Sequence, residues 1–82
     1  MTKIDLPEKL SEVLQMLGGS APIVEICKKF WQQHESELRS SGDLFFTWQY
    51  DIRWAATNLR KAKIMKSAEM SPAGIWELSS KT

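Results

Sequence analysis

The sequence predicts a mainly α fold, three helices followed by a small β-hairpin, on three observations. Apolar residues recur at helical spacing in three separate stretches between residues 6 and 62. Two turn signals, Gly18-Gly19 and Ser40-Ser41-Gly42, divide those stretches. Beyond Ala62 the pattern shortens to two strand-like runs either side of Pro72-Ala73-Gly74.

The first helix is expected from Leu6 or Pro7 to Leu17. Asp5 stands where a cap belongs, Glu8 follows it at capping-box spacing, and Pro7 suits a first turn. Leu6, Leu10, Val13, Leu14 and Leu17 make its apolar stripe, and Gly18-Gly19 ends it. Ser20 is expected to open the second helix, with Pro22 in the first turn. Ile23, Ile26, Cys27, Phe30, Trp31 and Leu38 form its buried side. Asp43 is the expected cap of the third and longest helix, which ends near Ala62. Phe45, Trp48, Ile52, Ala55, Ala56 and Leu59 share one face there, and the two alanines allow a close helix approach. Leu14, Ile26 and Leu59 are where the three stripes should converge. Ile64–Ser67 and Ile75–Leu78 read as the hairpin strands, and Gly19-Ser20-Ala21 as a third, very short one. Helix, helix, helix, hairpin is the order of a winged helix-turn-helix.

At 82 residues the chain holds a single domain, residues 1–82, because so few apolar residues cannot supply two cores. A hydrophobic content of 43% with four Trp opposes disorder. No apolar run nears the roughly 18–20 residues of a bilayer span, and Met1–Asp5 lacks the features of a signal peptide. Cys27 is the only cysteine, so no disulfide forms within the chain, which suits the reducing cytoplasm. Cys27 and His34 are too few soft ligands for structural zinc. No cofactor motif and no small-molecule site is evident, and Gly18, Gly19 and Gly42 are turn residues rather than a phosphate loop. His34 has no nucleophile or orienting partner in the pattern, so no catalytic residue is assigned. Cys27, on the apolar stripe, reads as a structural thiol. Glu25, Glu35 and Glu37 beside Lys28 and Lys29 read as a solvated face with incidental ion pairs.

Charge is unevenly placed. Residues 1–50 hold five Lys/Arg against seven Asp/Glu, a net of −2. Residues 51–82 hold six against three, a net of +3, gathered in Arg53, Arg60, Lys61, Lys63 and Lys66.

Trp54-Ala55 followed by Leu59, then Arg60–Met65, then Ser71-Pro72-Ala73-Gly74-Ile75-Trp76-Glu77-Leu78 resembles the N-terminal domain of Mrr-type restriction proteins. Leu10, Val13, Leu14, Leu17 and Gly18-Gly19 also fit its first helix, so the likeness spans most of the chain. The resemblance implies a winged helix that binds double-stranded DNA, often directing an attached nuclease. Lys63 stands where that pattern has glycine, a position that prefers the left-handed backbone. Glu77 lies in a wing that the family tends to make basic. With the chain ending at Thr82, binding without cleavage is expected, as a small regulator or the recognition part of a restriction or defence system.

In such a motif the third helix reads the major groove. The side opposite Ile52 and Leu59 carries Phe46, Tyr50, Trp54, Thr57 and Lys61, with Arg53 and Arg60 at its margin. Arg53, Arg60, Lys61 and Lys66 suit phosphates or guanine edges, and Tyr50 and Thr57 can donate to phosphate. Gln49 and Asn58 have the amide geometry for adenine. Five of the eight aromatics lie between Phe45 and Trp54, too many for one stripe. The same resemblance makes Trp54 part of one motif with Trp76, which implies that the wing covers it. Phe46 and Tyr50 are expected to need a cover, either a second copy of the chain or the turn before the helix. A winged helix that binds protein through this aromatic window is therefore the alternative function.

Overall fold

A computed structural model describes residues 1–79 as three helices and a small antiparallel sheet. A 3-10 turn, Lys3–Asp5, leads into α1, Leu6–Met16. Strand β1, Ser20–Pro22, is followed by α2, Ile23–Arg39, and α3, Leu44–Lys61; β2, Ile75–Glu77, comes last.

Each helix buries the stripe its spacing implies. Leu6, Leu10, Val13 and Leu14 of α1, Ile26, Phe30 and Leu38 of α2, and Trp48, Ile52, Ala55, Ala56 and Leu59 of α3 form one core. Leu14, Ile26 and Leu59 are all buried in that core. Met65 and Trp76 close it from the sheet side. The most extensive contact joins α1 to α3, and Ala55 and Ala56 keep the α3 stripe shallow enough for another helix to come near. Leu17, Ile23, Cys27 and Trp31, at the edges of their stripes, are only partly buried, and so is Phe45, whose expected place on the buried face of α3 is taken by Leu44.

The caps depart from expectation. Asp5 makes no side-chain bond to α1; its carboxylate turns back and accepts from the Thr2 N–H at 2.9 Å and the Thr2 hydroxyl at 3.2 Å. Those bonds hold the Asp5 carboxyl below its ordinary range. Asp43 likewise makes no side-chain cap to α3, whose first turn closes through the carbonyls of Gly42 and Asp43. Ser20 does not open α2. Ser20–Pro22 pairs antiparallel with Ile75–Glu77, Ala21 opposite Trp76, and the helix starts only at Ile23. Pro22 disfavours a helical backbone at Ala21, so the chain stays extended until the proline is passed.

The run Ile64–Ser67 is shorter than a strand. It meets β2 through one bridge, Met65 opposite Leu78, with bonds from the Lys66 N–H to the Glu77 carbonyl and the Ser79 N–H to the Ile64 carbonyl. The turn closed by the Met70 N–H on the Ser67 carbonyl begins at once and leaves no length for more pairing. β2 thus lies between β1 and residues 64–66.

Both α1 and α3 end in the same hydrogen-bonded motif. Gly19 donates to the Leu14 carbonyl at 2.8 Å and Gly18 to Gln15 at 3.1 Å. In α3 the equivalents are Ile64 to Leu59 at 2.8 Å and Lys63 to Arg60 at 3.0 Å. The residue after the cap must be left-handed. In α1 it is Gly18, at φ 88°, and in α3 it is Lys63, at φ 64°. A side chain in that conformation costs about 1 kcal/mol. Lys63→Gly is therefore expected to stabilise the domain by roughly 0.5–1 kcal/mol, a rise of about 4–8 °C per kcal/mol in the melting temperature. Lys63→Val should lower it, since a β-branched residue tolerates positive φ least.

Candidate nucleic-acid interface

With α3 held by its buried side, its opposite side is open. Gln49, Tyr50, Arg53, Thr57 and Lys61 are all exposed on α3. Phe46, Tyr50, Arg53, Thr57 and Lys61 follow one another at three- and four-residue steps, a continuous stripe. Its first half is aromatic and its second half cationic. Arg53 and Lys61 make no ion pair among the described residues. The Thr57 hydroxyl donates to the Arg53 carbonyl at 3.2 Å, a bond it can exchange for another acceptor.

Two of the expected cations are engaged elsewhere. Arg60, half-buried, donates its Nε–H to the Lys66 carbonyl at 3.1 Å and so ties the end of α3 to the segment that follows. Lys66 Nζ donates to Glu77 Oε2 at 3.0 Å across the sheet, both side chains about 30% exposed. This pair supplies the acidic residue of β2 with its own counter-charge.

Phe46 is 81% and Tyr50 77% exposed. The turn before α3 leaves Phe46 largely exposed, its ring edge-on to Phe45 at 4.9 Å. Trp54 is 38% exposed, and the group over its ring is the Lys3 ammonium, 4.7 Å from the centroid, while Trp76 lies in the core.

A groove of about 650 Å³ between α2 and α3 was not foreseen. Its walls are Val24, Cys27 and Trp31 on one side and Phe45 and Trp48 on the other, with Lys28, Gln49 and Arg53 at the rim. Trp48 stacks on Trp31, ring centroids 6.1 Å apart, and the Arg39 guanidinium lies 5.3 Å over Trp31 and 5.8 Å over Phe45. The sequence places Cys27 and Trp31 on the α2 stripe and Phe45 on the α3 stripe, but not that the edges of the two stripes meet. Burial pushes the Cys27 thiol up, with the Arg53 charge opposing. Among the described residues no three of His, Cys, Asp or Glu gather to hold a metal ion, and no helix is long and apolar enough to cross a membrane.

No family model matches the chain, and no curated protein or solved structure matches it.

His34 is more enclosed than its sequence position implies. It interrupts the regular backbone of α2 at φ −128°, and its ring packs on Phe30 at 4.8 Å. Nε2 is buried without a hydrogen-bond partner, while Nδ1 lies 3.8 Å from Glu37. Burial is the main cause that lowers the His34 pKa below 6.5; Lys9 adds to it, and Glu37 and Glu12 oppose. The folded state therefore binds this proton less readily than the unfolded chain does. The contribution of neutral His34 is full above about pH 6.5 and is lost as the pH falls through that value toward the lower folded pKa. Urea melts between pH 7.5 and 5.5 should show stability falling with pH, and His34→Leu should flatten that slope.

Proposed function

We propose that this chain is a winged helix-turn-helix module that binds double-stranded DNA through the outer face of α3. The observation that carries the reading is that face itself. Gln49, Tyr50, Arg53, Thr57 and Lys61 stand exposed together, and the cations Arg53 and Lys61 have no partner among the described residues.

The element order supports it. α2 and α3 are joined by the short turn Ser40–Asp43, and β2 lies between β1 and residues 64–66, leaving residues 67–74 as the wing. The left-handed backbone at Lys63 supports the likeness to Mrr-type N-terminal domains, whose pattern has glycine there. In this reading Arg53 and Lys61 neutralise phosphates, and Tyr50 and Thr57 donate to phosphate oxygens. Gln49 reads an adenine edge, and Phe46 meets a thymine methyl. Arg60 and Lys66 serve the fold first. The wing offers little charge to the duplex, because Lys66 is matched by Glu77 and the loop adds Glu69. Binding therefore rests mainly on α3. A single module of this kind buries roughly 600–1,000 Å² on DNA, which favours two copies acting together.

Arg53→Ala and Lys61→Ala should each weaken duplex binding without unfolding the domain. Each should also reduce the slope of log affinity against log salt by about one. Lys66→Ala should leave the slope nearly unchanged. Wild-type protein that binds no duplex even at low salt would sink the proposal.

The exposure of Phe46 and Tyr50 favours a second reading, a contact between two copies of the chain through this aromatic pair. Sedimentation should then show a wild-type dimer and a folded, monomeric Phe46→Ser variant. A wild type that stays monomeric at high concentration counts against it.

A further inference from the structure

We propose that the groove between α2 and α3 docks an acidic, amphipathic helical segment of a partner protein. The proposal goes beyond the DNA reading and uses a side of α3 that shares Gln49 and Arg53 with the proposed DNA face. Its first support is shape and lining. The groove runs between two helices, about 650 Å³ in volume, with Cys27, Trp31, Phe45 and Trp48 as its apolar floor and walls. Val24 stands at its mouth 63% exposed. A helix that lays one face into such a groove anchors through side chains at i, i+3, i+4 and i+7.

Charge selects the occupant. The residues that line the groove include the cations Lys28 and Arg53 and no carboxylate. Arg53 has no ion pair among the described residues. Lys28 has only Glu25, at 3.7 Å with both side chains mostly exposed, a contact that water largely screens. Arg53 and Cys27 line the groove together, which sets the guanidinium beside its floor. A second copy seated by two-fold symmetry would bring this same cationic rim against itself, which opposes association. A duplex would match the cations but offers no row of aliphatic side chains for Trp31, Phe45 and Val24. An acidic helix with one apolar face satisfies both demands: its Leu or Phe anchors fill the aromatic floor while its Glu residues meet Lys28 and Arg53.

Two synthetic peptides of about 14 residues, about four turns of helix, provide the test. Both carry Leu and Phe at the anchor positions; one has Glu at the remaining positions and the other Lys. Binding to the whole chain is followed by tryptophan fluorescence and by amide chemical shifts in the absence of DNA. The Glu peptide should bind saturably and at least ~10-fold more tightly than the Lys peptide, because complementary charge sets the preference. Shifts should centre on Val24, Cys27, Trp31 and Gln49. Val24→Glu, shown to be folded by circular dichroism, should abolish binding. The double variant Lys28→Glu with Arg53→Glu should turn the preference toward the Lys peptide. Equal affinity for the two peptides, shifts that lie away from the groove, or binding retained by Val24→Glu overturns the proposal. So does a self-association of the free chain that Val24→Glu abolishes, since the groove then belongs to a second copy.

Discussion

Trp48 stacks nearly parallel to two rings of α2, its centroid 5.4 Å from Phe30 and 6.1 Å from Trp31, each pair tilted by only 14°. This aromatic contact locks α2 against α3, and the remaining surface geometry depends on it. Phe30 is fully buried and Trp48 nearly so, which makes them the structural half of the cluster. Trp31 and Phe45 lie further out and form the walls of the groove. One set of rings thus closes the core and leaves an apolar cleft at its edge. Rings of this size cannot all be buried by a domain whose longest helix has 18 residues.

The outer face of α3 is a second consequence of the same anchoring. With one side of the helix in contact with α1 and α2, the opposite side carries aromatic residues in its first half and cations in its second. Arg53 stands where the two surfaces meet, at the rim of the groove and on the exposed stripe. A ligand on either surface therefore competes for one guanidinium. In the two proposed readings, binding of a partner helix and binding of a duplex are coupled through that shared group, whichever comes first.

The sheet does a different task. Its strands are three residues long, too short for stability of their own. It brings residues 19–22 and 64–66 to β2, buries Trp76 and Met65, and ties down the end of α3 through the bond from Arg60 to the Lys66 carbonyl. Lys66 and Glu77 neutralise one another across it. The basic residues at the end of α3 and beyond it therefore split by role: Lys61 has no ion pair among the described residues, whereas Arg60 and Lys66 hold the sheet to the helix.

The helical stripes, the glycine stop after α1, the left-handed position at Lys63 and the outward face of α3 were legible in the residues. All are consequences of local spacing and local backbone preference, which act within a few residues. The sequence by itself therefore determined three amphipathic helices, their order, and which side chains each turns away from the core. Tertiary structure decided what local rules cannot reach. Residues 19–21 read both as a short strand and as the start of α2, and the strand prevailed because Ile75–Glu77, more than fifty residues on, supplies its hydrogen bonds. Lys66 lost its freedom because Glu77 lies opposite, and Lys3 rather than a wing residue came to lie over Trp54. The groove exists only because two stripes, each slightly too wide to be buried, were set side by side. Such pairings depend on contacts distant in sequence, and spacing along one helix carries no record of the neighbour it will meet.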